Sequence, residues 1–251
     1  MTTQLHIETV VDHGIDEKLQ YFAGYSFGWP GCLGNTDRWT HGVITGPRWA
    51  DRVAREVEDW RPVIIDNGAY PAFRDGTDLP FDDQMHAVKS AIETIGSERI
   101  RFAIVPDVVA DPKETASRRF QTMLDIIAGS TLPPHKWMIP VQEGSNIASA
   151  CYQATALGCA VFVGGDTRRW KFETARRIRR AAPDAHLHIG RISDPAHLRA
   201  ACQIGVDSFD TTTFVRQQRH NQANDYTERL RRYVDFRPLS PGEIARIGYY
   251  N

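Results

Sequence analysis

The stretch GVDSFDTTTFVRQQR, Gly205 to Arg219, holds residue types from which a reaction on an anionic substrate can be built. Val206 to Thr212 alternates apolar and polar positions as a half-buried strand does, and it carries Asp207 and Asp210. Arg216 and Arg219 follow at one-turn helical spacing. A carboxylate at a strand end can act as nucleophile or acid–base group, and guanidinium groups just beyond it can hold an anion. Taken alone, the segment reads more simply as a salt-bridged strand end.

The rest of the chain argues against the simpler account. Each earlier apolar run also ends in a group able to do chemistry: Asp66, Asp107, the Gln142-Glu143-Gly144 turn, Gly164-Gly165-Asp166 and Arg191. One such aspartate is usually a helix cap or a loop-ordering residue. Several on one rim, beside a Gln-Glu pair, shift the balance toward a site. Crowded carboxylates push their pKa values apart, so that one serves as nucleophile and another as acid or base. Gly164 and Gly165 would let a flat ligand lie against bare backbone.

Basic residues gather in two places. Arg168, Arg169, Trp170 and Lys171 follow the Gly-Gly turn, with Arg176, Arg177, Arg179 and Arg180 beyond. Arg216, Arg219, His220, Arg229, Arg231 and Arg232 form the second group. A solvated helix face accounts for Arg176 to Arg180 as well as function does. Arg168, Arg169, Arg216 and Arg219 belong to loops expected to open on the mouth that holds the aspartates. Phosphates beside a carboxylate-lined pocket suggest a nucleotide or polynucleotide.

The elements that must position these groups alternate regularly. From Pro62 onward six strand-like runs each lead into a helical segment, and right-handed crossovers then make a parallel sheet. One helix carries Met85, Val88, Ile92 and Ile95 on one face. Another starts at Asp111-Pro112 as cap and first helical residue and runs through Phe120, Met123, Leu124 and Ile127. Asp194-Pro195 repeats that start signal. Upstream, KLQYFAGYSF reads as a strand, and WADRVAREVEDW as a helix with Trp49, Val53, Val57 and Trp60 on one side. With QLHIETVV as a further strand there are eight. The expectation is an α/β fold, a single (β/α)8 TIM barrel over residues 1–251, with 220–251 as a C-terminal helical extension. An open doubly wound sheet would want a glycine-rich phosphate loop after its first strand, which is missing.

Composition agrees with one globular domain. The 251 residues match the usual size of an α/β barrel, with 41% hydrophobic and 24% charged residues. A formal net charge of −1 gives no global field for nucleic acid, so any basic surface is local. Cys32, Cys151, Cys159 and Cys202 lie far apart, which suits buried thiols in a reducing compartment and gives no zinc-ligand spacing. No apolar segment approaches the ~20 residues of a membrane span, and the N-terminus lacks a signal-peptide pattern. The expectation is a cytoplasmic protein with no membrane partner.

The ordered motifs resemble the queuine/archaeosine tRNA-guanine transglycosylases, (β/α)8 enzymes that exchange guanine for a 7-deazaguanine within a nucleic acid. The likeness spans roughly Ile64 to Arg219. IDNGAY resembles the family's D-S-G-G-F/Y-Q segment, IVPD its strand ending in a base-reading aspartate, and PVQEGS its Q-x-G-S/G turn. VGGD resembles its G-G-L turn, and HIGRISDPAHLRAACQIGVDSFDTTTFVRQQR its M-G-V-G-x-P-x-D-L…G-x-D-M-F-D…T-R segment. The last is the most specific.

The resemblance implies Asp210 as nucleophile and Asp66 as general acid/base. It implies Asp107, Glu143 and Gly165 as base-binding residues and Arg216 and Arg219 as phosphate-side arginines; by their place on the same rim Gln142 and Gly164 join the first set, and Arg168 and Arg169 the second. Asp207 is then structural. Asp210 would attack C1′ and expel guanine, and a deazaguanine deprotonated with help from Asp66 would displace it, with net retention. The target nucleotide must be flipped out or single-stranded.

The chain departs from the tRNA enzymes in three respects. No cysteine follows Cys202, so the C-terminal zinc module is missing, and the expectation is no metal and no cofactor. Glu143 stands where the family has its base-reading glutamine, with Gln142 beside it, and Asp166 replaces the leucine after Gly-Gly. A compact zinc-less chain is closer to the branch that inserts a preQ0-like 7-deazaguanine into DNA, so DNA is favoured over tRNA as partner. The family's dimerisation leaves a homodimer open. Two other readings stand beside this one: glycosyl transfer on a small nucleoside or sugar phosphate, and a non-catalytic subunit that binds nucleic acid.

Overall fold

The structure, a computed structural model, describes residues 20–25, 42–129, 132–165, 167–192 and 195–211. Runs that are apolar at every position, such as VII, WMIPV and AVFV, suit strands covered on both faces. They form β3 (Val63–Ile65), β5 (Trp137–Val141) and β6 (Ala160–Val163), joined by β1 (Gln20–Tyr25), β2 (Gly42–Thr45), β4 (Ile100–Ile104), β7 (Leu187–Ile189) and β8 (Ser208–Thr211). The eight strands pair in parallel and close in chain order, with β1 bonded to both β2 and β8. The fold is a single closed (β/α)8 barrel.

One expected strand is replaced. The eighth barrel strand is β2, paired between β1 and β3, whereas QLHIETVV, expected as a further strand ahead of KLQYFAGYSF, lies outside the described residues. Arg216, Arg219 and the 220–251 extension lie outside them as well.

Seven helices among the described residues follow the strands: α1 (Ala50–Glu56), α2 (Ala69–Arg74), α3 (Phe81–Ile95), α4 (Pro112–Ile127), α5 (Ile147–Leu157), α6 (Arg168–Ala181) and α7 (Pro195–Ile204). In α3 the residues Met85, Val88, Ile92 and Ile95 are buried, as their spacing requires. Full burial of a side chain such as Val88 or Ile92 contributes about 1.5–3 kcal/mol. At the start of α4, Asp111 accepts bonds from the N–H groups of Lys113 (3.1 Å) and Glu114 (2.9 Å), and Pro112 takes the first helical position. Pro195 likewise opens α7, while Asp194 falls outside the described residues.

Two amphipathic faces differ from expectation. Helix α1 stops at Glu56, so Val57 is buried but Trp60 is 68% exposed, stacked on the Arg61 guanidinium at 4.4 Å. In α4 only Met123 of the four named apolar residues is buried, and Phe120, Leu124 and Ile127 face outward. Arg118 holds the inward face instead, donating to the Leu79 carbonyl at 2.7 Å and to Gln84 Oε1 at 3.0 Å. No helix among the described residues is long and apolar enough to cross a membrane.

Strand residues alternate between the barrel interior and the layer beneath the helices. Phe22, Ile64, Phe102, Ile104, Met138 and Ala160 fill the interior with Ile44 and Phe162. Val43, Val63, Ala103, Ile139, Val161, Ile189 and Phe209 pack beneath the helices. The same parity turns Asp66, His188, Ser208 and Asp210 toward the axis, and on β8 it separates Asp210 from Asp207.

Candidate active site

At the carboxyl ends of the strands lies a cavity of about 710 Å³, whose wall includes Asp66, Asp107, Glu143, Gly165, Arg191 and Asp210. This is the face on which barrel chemistry is built. Asp66 follows β3 directly, and its N–H still bonds the Thr45 carbonyl at 2.8 Å, which keeps the strand geometry through the residue. The chain then turns through Gly68, in the left-handed region at φ 79°, whose N–H reaches Asp66 Oδ1 at 3.4 Å.

Asn67 ties this turn to the end of β4. Its Nδ2 donates to the Val105 carbonyl and to Asp107 Oδ1, each at 2.8 Å, and its Oδ1 accepts from the Ala69 N–H at 2.9 Å. Gln84 of α3 braces both loops, donating to the Asn67 carbonyl (3.2 Å) and the Asp107 carbonyl (3.3 Å). Arg118, 7% exposed, holds Gln84 in turn. Asp66 and Asp107 are thus fixed from below before any ligand arrives.

Their environments favour the protonated forms. Burial raises the Asp66 carboxyl, and the charge of Asp210 raises it further, against bonds from Gly68 and Asn67 and the field of Arg191. Burial pushes Asp107 up to about 7, against the Asn67 bond and with help from Asp66.

Across the mouth, Asp210 near the end of β8 has two polar partners. His188 Nε2 lies 3.1 Å from Oδ2, and the Arg191 backbone N–H lies 3.3 Å from Oδ1. Arg191 reaches this place in a left-handed conformation, φ 59°, that a side chain bearing Cβ adopts at a cost of roughly 1–2 kcal/mol. Its guanidinium packs over the Tyr70 ring at 3.6 Å, bridging the two walls. Gly190 sits beneath: a Cβ there would come within 2.9 Å of the Phe162 ring and 3.3 Å of Asp210 Oδ2.

The Gln-Glu turn after β5 separates into two roles. Gln142 borders the cavity, but its amide is bonded to the β4–α4 loop, accepting from Ala110 N (2.9 Å) and donating to Val108 O and Thr115 Oγ1 (2.6 Å each). Glu143 accepts from Thr167 N at 3.0 Å and lies over Gly165, where φ of 83° and the carboxylate both exclude a side chain. Gly164 and Gly165 both border the cavity, but the Glu143 carboxylate covers Gly165, so the bare backbone expected there is not open at that residue. Asp166 lies outside the described residues.

Neither comparison names a relative. No protein-family model matches the chain, and no curated protein matches it.

The basic residues divide. Arg168 and Arg169 open α6 at the carboxyl rim, exposed, with Arg169 paired to Glu173 at 2.8 Å. Lys171 is buried against the cavity and donates to the Gly190 carbonyl at 2.9 Å. Arg179 faces away, bound to the Gly205, Pro183 and Ala185 carbonyls and to Asp207 Oδ2 at 2.5 Å. Asp207 also accepts from Leu187 N at 2.7 Å, so it is a structural clamp.

His188, Asn67, Gln84 and Tyr70 were missed from the sequence. For His188 a signal existed: a histidine two residues before Gly190, at an inward position of the run AHLHIG. Asn67 directly follows Asp66, but nothing in its type marks the loop it must tie. Among the described residues no group of three or more His, Cys, Asp or Glu is gathered to hold a metal ion.

Proposed function

We propose that this barrel is a base-exchanging pentosyltransferase that replaces guanine by a preQ0-like 7-deazaguanine in DNA through a covalent aspartyl-glycosyl intermediate. One observation carries the reading: Asp66, its carboxyl raised by burial and by the charge of Asp210, borders one cavity with Asp210, beside the Gly164-Gly165 backbone. Asp210, turned toward the axis at the end of β8, attacks C1′. The C1′–N9 bond breaks, and the departing base takes its proton from Asp66. The incoming base returns a proton to Asp66, attacks C1′ through its freed nitrogen, and displaces Asp210. Protons and electron pairs balance over the two steps without a further reactant.

Asp107, Glu143 and the Gly164-Gly165 backbone would read the base edge, with Gln142 setting the loop behind them. Arg168 and Arg169 at the rim, with Arg216 and Arg219, would meet the phosphates, aided by the α6 N-terminus. The free thiols Cys151, Cys159 and Cys202 suit a cytoplasmic setting.

The test supplies DNA or tRNA with labelled guanine or preQ0 and looks for incorporated label and for a protein–nucleic acid complex that survives denaturation. Wild type is expected to give both, on DNA in preference to tRNA, and Asp210→Asn neither. Failure of the wild type to exchange a base into either polymer would end this reading.

A further inference from the structure

Inside the barrel, below Asp210, lies a chain of polar side chains that the exchange mechanism above does not use. His186 Nε2 is 2.8 Å from Ser208 Oγ, Ser208 Oγ is 2.8 Å from His188 Nδ1, and His188 Nε2 is 3.1 Å from Asp210 Oδ2. His188 and Ser208 are fully buried. The His188 ring stacks on Phe162 with centroids 5.4 Å apart, and His186 packs against Phe102 at 4.6 Å. Barrel interiors are ordinarily filled by branched apolar residues, so three polar side chains in contact there need a reason.

We infer that His188 is a positioning residue for the nucleophile: it holds Asp210 Oδ2, and Ser208 and His186 fix the ring so that Nε2 carries the proton. This rests on the transglycosylase reading of Asp210. The direction of the bonds follows from the donor inventory. An ionised carboxylate only accepts, so the hydrogen sits on His188 Nε2. In the neutral ring Nδ1 then accepts, so the Ser208 hydroxyl donates to it and takes its own bond from His186 Nε2. Every proton has one acceptor, and the chain points at Asp210.

The consequence is unequal for the two half-reactions. With Oδ2 held by His188 from inside the barrel, Oδ1, met only by the longer 3.3 Å contact from the Arg191 N–H among the described bonds, is the oxygen that bonds C1′. Glycosylation removes charge from Asp210, whereas in the second step the C1′–Oδ1 bond breaks and its electron pair returns to the carboxylate. A donor at Oδ2 stabilises that departing carboxylate, so its loss slows breakdown of the glycosyl-enzyme more than its formation.

Substitution by Asn and by Gln separates this role from mere packing, because the Gln amide nitrogen reaches the place of Nε2 and the Asn amide nitrogen that of Nδ1. His188→Asn is expected to slow breakdown of the trapped glycosyl-enzyme about 10- to 100-fold, so that the covalent complex accumulates, and His188→Gln to recover most of that loss. Equal rates in the two variants would overturn the inference. Should His188→Asn not fold, Ser208→Ala keeps the ring and is expected to lengthen the life of the complex in the same direction; an unchanged lifetime would overturn the inference equally.

A second measurement stands apart from activity. Nitrogen-15 histidine spectra of the full chain should show His188 protonated at Nε2 with Nδ1 accepting, and a shift of that signal in Asp210→Asn. A His188 protonated at Nδ1 with bare Nε2 would sink the pairing whatever the exchange assay gives. The expected tautomer in a chain that exchanges no base would instead sink the transglycosylase reading and leave the His188–Asp210 pairing standing.

Discussion

Asp66 and Asp107 on one side of the mouth and Asp210 on the other are all aspartates at strand ends, but their surroundings differ in kind. On the β3–β4 side the two carboxyls are both raised, Asp66 by burial and the charge of Asp210, and Asp107 by burial against the Asn67 bond, with the charge of Asp66 adding to it. On the β7–β8 side Asp210 receives His188 and the Arg191 N–H, and Lys171 lies close by on Gly190. One wall raises its carboxyls, and the other surrounds Asp210 with polar partners. Residue type did not decide this. The lesson is that a carboxylate's role follows from which donors its strand neighbours bring, and whether water can reach it.

The largest expected effect comes from the Asp210 wall. Asp210→Asn removes the proposed nucleophile and is expected to lower base exchange by about 10⁴-fold or more and to abolish the covalent complex. Asp66→Asn acts on the opposite wall and is expected to slow exchange by about 10²–10⁴-fold, since it removes the proposed acid and base of both steps. Single-turnover assays on the two variants separate the roles: residual covalent complex in Asp66→Asn alone is the expected pattern. Complex formation by Asp210→Asn would mean that the two walls have been assigned the wrong way round.

Asp107 gives a test that needs no substrate. Its folded pKa of about 7 lies above the unfolded value near 3.8, so the folded chain binds the extra proton between these limits. Stability from this group is therefore present at low pH, falls as pH rises from about 4 to about 7, and is flat above. Asp107→Asn mimics the protonated acid and still accepts the Asn67 bond, so it should lack that slope. Urea unfolding at pH 5 and pH 8 is expected to show the variant gaining on wild type by roughly 1–3 kcal/mol at the higher pH. Parallel stabilities across the range would show that Asp107 is ionised throughout.

Much of this was legible in the sequence, for a physical reason. Parallel strands covered on both faces must be short apolar runs, and the residue that ends each run must lie at the mouth. That fixed Asp66, Asp107, Glu143, Gly165 and Asp210 in place before any coordinates. The hidden parts fall into two classes. GVIT in β2 is too short and too weakly flanked to compete with QLHIETVV as a pattern, and the apolar residues of α4 could not show that Arg118 and Gln84 claim its inner face. The second class is rotamer choice. Gln142 and Glu143 are adjacent and chemically similar, and only the packed β4–α4 loop shows that the Gln142 amide is bound to it while Glu143 faces Gly165.

The smallest predicted effect is also the control on the comparison. Asp207 and Asp210 share β8, but three residues of alternation put Asp207 outside the barrel, where it joins Arg179 and Leu187 N across the base of β7. Its side chain is 39% exposed, so solvent screens the ion pair that Asn gives up, while the Asn oxygen still accepts from the Leu187 N–H. Asp207→Asn is expected to lower unfolding free energy by about 0.5–1.5 kcal/mol while leaving covalent complex formation and exchange at wild-type levels. Chemical denaturation and the trapping assay read the two outcomes on one preparation. If Asp207→Asn instead abolished the covalent complex with its stability intact, the outward aspartate would be the reactive one, and the parity that turns Asp210 toward the cavity would not describe the working enzyme.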